Sequence, residues 1–402
     1  LKETFMKKLN RRQVVQGLSA SALSPWLAGN SYAQSSDIVI GAAQPITGVF
    51  AFAGVAMNNG LNDFVQWKNS KGGVQGRKFR YVVEDSGFKV DQGVAVFKKI
   101  MASDKPNFFY CDGTPLVKAI TRDAIASNHV MTSSTSLASV VADPVNVPQH
   151  FVPGATYGRL HEVLMEHIKS TWKGADKPRI AYVYAESEFG MDGIPAGRAR
   201  AEKLGLPIVV EIVTKQSGID VTTEVAKLRR ARPNIVIFQG YISAPMPEFI
   251  RQMKEAGIDP DVYGTAWGLD KPAFDAFAKL GESLTGVSLY ATGDDTSAPM
   301  IREIREYLSK NRADVTHVSP FYISTWFTGM VFAEIADRCL KAKKPLDLPN
   351  MKAALESIQN WDSGGLIGLP VDYSKHEVSA GRMIKYNVDK KFMKPVGPWI
   401  KV

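Results

Sequence analysis

The chain has little cysteine: two residues, Cys111 and Cys339, in 402. Two thiols make no disulfide framework, so the fold has to rest on its core, and a chain this long buries a large one without staples. Each is read as a separate buried thiol, Cys111 at a strand end and Cys339 inside the helical stretch "VFAEIADRCLKA". Long apolar runs are also missing, and no stretch approaches the roughly 20 residues that span a bilayer. Charge of one sign is not concentrated: 49 Lys and Arg and 40 Asp and Glu are interspersed. The densest basic stretch, "KLRRARP" at 227–233, reads as the solvated end of a helix, so no nucleic-acid footprint is expected. Catalytic patterns are absent too. There is no G-x-S-x-G elbow, no P-loop and no spaced Cys/His set. "HEVLMEH" at 161–167 is not the H-E-x-x-H zinc pattern, because its histidines are six apart; it reads as a solvated helix face. The adjacent Asp294 and Asp295 read as a helix cap. These absences point to a protein that is not an enzyme and holds no metal or cofactor.

What is present begins with a leader. Residues 1–33 carry Lys7, Lys8, Arg11 and Arg12, then a weakly apolar stretch, then Ser31-Tyr32-Ala33. That is a charged region, an apolar region and a small-x-small cleavage site, with cleavage expected before Gln34. Arg11-Arg12 followed by Val14-Val15 is similar to a twin-arginine signal, although Asn10 stands where Ser or Thr is usual. Either export route places the protein in the periplasm.

From residue 37 the chain alternates. β-Branched apolar runs fall at 37–43, 78–84, 106–111, 129–132, 179–185, 207–213, 234–239, 261–265 and 285–290. Helix-period segments lie between most of them, at 54–69, 90–103, 115–127, 156–172, 189–204, 220–231, 244–256 and 271–279. Such alternation makes parallel sheets covered by helices. "PQHFVPGATYG" near 149–157 interrupts the rhythm and reads as a crossing between two lobes, with further crossings near 282–292 and 365–375. Residues 299–358 read as mainly helical, and the chain beyond 366 as short and β-like.

The segment "DIVIGAAQPITGVFAFAGVAMNNGLNDFVQWKNSKGGVQGRKFRYVVEDSG" carries Pro45, Thr47, Gly48, Gly54, Gly60, Gly72, Gly73, Gly76, Arg77, Glu84, Asp85 and Ser86. In that order they resemble the opening of the periplasmic leucine/isoleucine/valine-binding protein family. "RIAYVYAESEFGMDGIPAGRARAEKLGLPIV" and "ARPNIVIFQGYISAPMPEFIRQMKEAGIDPDVYGTAW" resemble its second lobe. The resemblance implies an α/β, two-lobed type I periplasmic-binding-protein fold. Each lobe would be a mostly parallel sheet flanked by helices, and three crossovers would join them. It places lobe 1 at 37–152 plus 285–372 and lobe 2 at 153–284 plus 373–402. It also implies a monomeric ABC-transporter component whose partners are a small-molecule ligand and the membrane permease subunits. The alternatives are a binder of an amide or of an acid lacking an ammonium, and a ligand-sensing receptor of the same fold.

Ligands of open parallel sheets bind beyond the carboxyl ends of strands, in loops at helix N-termini. There the sequence offers hydroxyls at Thr114, Ser133, Ser134, Thr135 and Ser136 for a carboxylate. By itself "TSSTS" is equally an ordinary Ser/Thr turn; the resemblance favours the cradle. Phe50, Phe52, Phe189, Tyr241 and Trp267 stand at strand-to-helix loops and could wall an apolar body, or pack lobe to loop. The resemblance puts Phe189 and Tyr241 over the ligand. One departure is plain: the family's amino-acid binders carry an acid where this chain has Ala266 and Trp267. Asp112 and Glu186 are the candidates to replace it, unless the ligand has no ammonium. The family's first-lobe disulfide is absent, since Phe88 stands near the position opposite Cys111.

Overall fold

The computed structural model describes residues 37–215, 220–240, 246–270, 275, 278, 284–387 and 392–402. The expected signal segment, Tyr241 and most of the helix expected at 271–279 lie outside the described residues.

The first sheet is built by β1 (Ile38–Gln44), β2 (Phe79–Asp85), β3 (Phe108–Cys111), β4 (Met131–Ser134) and β5 (His150–Phe151). Their order is β2-β1-β3-β4-β5, every neighbouring pair parallel. Between them run α1 (Ala51–Ser70), α2 (Val90–Ser103) and α3 (Thr114–Ser127). All seven residues of β1 are buried, as a strand covered on both faces must be.

After β5 the chain crosses to α4 (Tyr157–Thr171) and a second sheet. This contains β6 (Ile180–Ala185), β7 (Ile208–Thr214), β8 (Ile235–Gln239), β9 (Asp261–Gly264) and β10 (Thr285–Ser288). The helices here are α5 (Glu188–Asp192), α6 (Ile194–Leu204), α7 (Thr222–Ala231) and α8 (Met246–Glu255). The single helix expected at 189–204 is two, because Pro195 cannot supply a ladder N–H and starts a new helix after Gly193.

The chain then adds α9 (Pro299–Asn311), α10 (Pro320–Lys341) and α11 (Leu348–Glu356) to the first layer, where α10 packs on α1. Gly60 permits that approach: a Cβ there would stand 2.3 Å from the Tyr322 carbonyl oxygen. Finally β11 (Ala380–Asn387) and β12 (Phe392–Lys401) return to the second sheet as an antiparallel pair beside β10. The order there is β12-β11-β10-β9-β8-β6-β7, parallel through β10. β10 therefore belongs to the second sheet, and the chain leaves that sheet only after Ser288. The architecture is α/β with two helix-flanked, mostly parallel sheets.

Three strands of chain cross between the layers, and they bond to one another. Val152 N–H donates to the His376 carbonyl and Val378 N–H to the Gly154 carbonyl, both at 2.9 Å; Ala291 N–H donates to the Leu366 carbonyl at 2.7 Å. Both cysteines are buried free thiols.

Two small readings are corrected by the packing. His161 and His167 are not a solvated face: both are buried, and His161 lies against Tyr182, its Nδ1 3.2 Å from the Tyr182 hydroxyl. Burial lowers the His161 pKa to about 4, so the ring is neutral. Asp294 and Asp295 do not cap α9, whose N-cap is Ala298. They pair with Arg305 and Arg382, each at 3.0 Å.

Candidate functional site

The strand ends that face the crevice of the first sheet are fixed by a stitch between two loops. Asp85, last in β2, accepts from the N–H groups of Ile46 (2.9 Å), Thr47 (3.1 Å) and Gly87 (2.9 Å), and from the Thr47 hydroxyl. Desolvation alone would raise this carboxyl. The Thr47 hydroxyl and the three N–H groups outweigh it and hold Asp85 below its ordinary pKa. Gly48 turns the loop at φ +86°, a conformation side chains resist. Gly54 then sits so close to Pro45 that a Cβ would lie 1.9 Å from its carbonyl oxygen. Thr47, Gly48, Gly54 and Asp85 thus hold the loop that carries Phe50 and Phe52.

Beside it, β3 and β4 deliver a polar floor. Asp112 follows β3; Thr135 and Ser136 follow β4; Thr114 opens α3. The Thr135 hydroxyl donates to Asp112 Oδ1 at 2.9 Å. Thr114 and Ser136 hydroxyls share one hydrogen bond at 2.5 Å, which leaves one of their two hydrogens to donate elsewhere. No side chain caps α3, so its first N–H groups remain available to an anion. Ser133 and Ser134 are directed elsewhere. Ser133 donates to the Phe151 carbonyl at 3.0 Å, and Ser134 lies 3.3 Å from Nε2 of the buried His150. Of the five hydroxyl residues read from the sequence, Thr114, Thr135 and Ser136 gather at the floor, while Ser133 and Ser134 tie β4 to β5.

Asp112 is buried, with 8% of its surface exposed. Burial pushes its carboxyl from 3.8 up to about 7, against the opposing pull of the Thr135 hydroxyl. A raised acid stabilises the fold less as it ionises. Between about 4 and about 7 the folded protein keeps a proton that the unfolded chain has lost, so stability falls as pH rises through that window. Asp112→Asn should therefore flatten the melting temperature of the ligand-free protein across pH 4–7. Above pH 7 it should be more stable by an amount on the order of 4 kcal/mol and melt higher. Parallel curves for the two proteins would contradict this assignment.

An aromatic run crosses from the first lobe to the second. Phe88 lies tilted against Phe50 (centroids 4.0 Å apart), Phe50 lies 6.2 Å from Phe52, and Phe52 meets Phe321 edge-on at 6.0 Å. Phe321 stacks on Trp267 at 4.9 Å with 8° between planes. Trp267 Nε1 donates to the Tyr157 hydroxyl at 3.1 Å, and Tyr157 meets Phe189 at 5.1 Å. Phe189 is anchored by its carbonyl, which accepts from Gln239 Nε2 at 3.0 Å. Phe50, Phe52, Phe189 and Trp267 thus fall on one surface. Phe88, Tyr157 and Phe321 join them without having been read as aromatic walls from the sequence. Tyr157 and Phe321 both stand at a helix N-terminus just after a break, the signal that singled out the others. Glu186 is not in this run: it is exposed and lines a separate groove of about 430 Å³ with Thr214, Lys215 and Glu224.

Polar pairs flank the aromatic contact between the lobes. Lys118 bonds Glu188 at 2.8 Å, and His317 Nε2 lies 2.7 Å from Asp270. Ser139 N–H and hydroxyl donate to Asp192.

A two-layered α/β molecule with bonded crossings has counterparts among known proteins. The family model for periplasmic binding proteins matches residues 37–390. The chain belongs to the periplasmic binding protein family. An amino acid binding protein of Pseudomonas aeruginosa is 27% identical over 271 residues, which cover 63% of this chain and 65% of that protein. Leu/Ile/Val-binding protein homolog 7 of Brucella suis is 25% identical over 85% of this chain and 86% of its own. A branched-chain amino acid ABC transporter structure from Thermus thermophilus with bound valine superposes with a TM-score of 0.78. It covers 92% of this chain and 97% of that one at 20% identity. A fatty acid ABC transporter substrate-binding protein from Thermomonospora curvata gives 0.77 at 18% identity, covering 91% and 93%. The family is a solute-binding type, its fold is the two-lobed type I fold, and the resemblance read from the opening motifs is borne out. Among the described residues, no helix is long and apolar enough to cross a membrane.

Proposed function

We propose that the protein is the exported solute-binding component of an ABC transporter. It captures a small ligand with an apolar body and a carboxylate between its lobes and presents it, unaltered, to the permease subunits. The observation that carries this reading is the joining of two chemistries in one crevice. The uncapped start of α3, with Thr114 and Ser136, suits a carboxylate, and the uncharged run from Phe88 to Phe189 suits an apolar body. The bonded crossings between the layers suit a hinge that closes on the ligand. The relatives' printed ligands, branched-chain amino acids and a fatty acid, share this chemistry of acid head and apolar body.

A second reading has its own support. Ala266 and Trp267 stand where the family's amino-acid binders place an acid, which suits a ligand without an ammonium.

The test is a thermal-shift screen of the protein against hydrophobic amino acids, aromatic acids, short fatty acids and amides. A ligand at about 100 times its dissociation constant adds roughly 2.7 kcal/mol, which a melting shift reveals. Thr114→Val should weaken a carboxylate hit by an amount on the order of 1–3 kcal/mol, since a donor is lost in a closed site. Unchanged affinity in Thr114→Val would move the carboxylate away from α3.

A further inference from the structure

The floor of the crevice holds a group that a cradle for a bare carboxylate does not want. Asp112 is more than nine-tenths buried at the C-terminal end of the strand between β1 and β4. Its Oδ1 takes the Thr135 hydroxyl, and its Oδ2 has no hydrogen-bond partner among the described residues. A buried carboxylate oxygen without a donor is costly, and native proteins rarely leave one so. Among the described residues no basic side chain bonds it: Lys118, on α3, pairs with Glu188 instead. The Thr135 hydroxyl is spent on Oδ1, and the Thr114 and Ser136 hydroxyls bond to each other rather than to Oδ2. The Phe88 ring lies by Gly113, 3.7 Å from where a Cβ there would stand, so the aromatic run reaches the residue next to Asp112.

We propose that Asp112 Oδ2 is the specificity-determining acceptor of this binding site, taking a hydrogen bond from an N–H donor on the ligand's polar head. The proposal rests on the reading of the crevice as the binding site, and it names the head group. With a carboxylate held at the start of α3, the donor is the ammonium of an α-amino acid. The acid absent at Ala266 and Trp267 in the second lobe is then replaced by one in the first. A charged donor on a desolvated carboxylate is a strong hydrogen bond, and it neutralises Asp112 at the moment the lobes close over it. A ligand with a carboxylate but no N–H would instead bring a second negative charge beside Asp112. The same N–H chemistry could come from a carboxamide, which the probes below separate.

The experiment measures dissociation constants at pH 8 for leucine and phenylalanine, their desamino acids (4-methylpentanoate and 3-phenylpropanoate) and the amides of those acids. It uses the full protein, its Asp112→Asn variant and its Trp267→Ala variant. At least one amino acid should bind 10-fold or more tightly than its desamino acid, and this preference should collapse to within about 2-fold in Asp112→Asn. An amide that beats both acids, with the same collapse, supports the N–H contact and assigns it to a carboxamide. The wild-type ratio decides the matter even if the variant folds poorly. A desamino acid that binds as tightly as its amino acid overturns the proposal. So does a preference that survives in Asp112→Asn. If desamino acids alone bind, and Trp267→Ala weakens them, the crevice stands and Asp112 falls. If no probe binds, both fall.

Discussion

Trp267→Ala should weaken ligand binding by about 10- to 100-fold while leaving the melting temperature of the ligand-free protein nearly unchanged. The indole is the place where the two lobes touch through parallel rings, 4.9 Å from Phe321 with 8° between planes. Such a pair contributes about 0.5–1.5 kcal/mol beyond the area it buries. It forms only when the lobes meet, so its loss lowers the closed fraction, and the apparent affinity falls with that fraction. On the proposed site the indole would also contact the ligand, and the two losses together amount to roughly 1.4–2.8 kcal/mol. Within the second lobe, the bond from Trp267 to Tyr157 orients the ring but is made whether or not the lobes meet. Tyr157→Phe should therefore weaken binding less, and Phe321→Ala should approach the effect of Trp267→Ala. Titration calorimetry with the ligand found by screening gives the three constants. A Trp267→Ala constant within 2-fold of the parent would remove the indole from both closure and contact.

Gly54→Ala should lower stability by at least about 3 kcal/mol, a drop of several degrees or more in melting temperature, and should lower ligand affinity with it. The added Cβ would lie 1.9 Å from the Pro45 carbonyl oxygen and 2.5 Å from its carbon. Both obstacles are backbone, and Asp85 holds that loop through three hydrogen bonds. Relief requires α1 to move off β1, which carries Phe50 and Phe52 away from the crevice. Gly72→Ala is the control. Unlike Gly54, Gly72 has positive φ (+100°), but a Cβ there meets nothing within 4 Å. Its cost should stay at the roughly 1–2 kcal/mol of a left-handed residue. Equal melting temperatures for the two variants would show that collision at Gly54 is relieved cheaply.

The strands and helices were legible because their signals are local. A run such as "FFYC" or "IVIF" is apolar at every position because both faces of a parallel strand are covered, and Gly205 and Gly257, both at positive φ, mark the helix ends as expected. The aromatic walls were partly legible for a similar reason. A bulky ring at a strand-to-helix loop is out of phase with any core, and Phe50, Phe52, Phe189 and Trp267 announced themselves in this way. Phe88 did not, because a residue read against a missing disulfide is not read as a wall. His161 and His167 misled, because helix position alone does not say how much of the circumference is covered. The face of α4 that the sequence assigned to solvent is roofed by α6.

By itself, then, the sequence determined the alternating α/β order, the two-lobed family fold, and the loops from which a site would be made. It also named the hydroxyl groups, but not what each of them binds. That was decided by neighbours distant along the chain. Ser133 meets the Phe151 carbonyl 18 residues on, and Thr135 turns back 23 residues to Asp112. A hydrogen bond depends on ångström distances and angles between groups, and the register of β4 between β3 and β5 sets those, not the composition of the loop. The same register leaves one oxygen of Asp112 buried without a donor, which no local pattern could reveal, because its cost comes from everything packed around it.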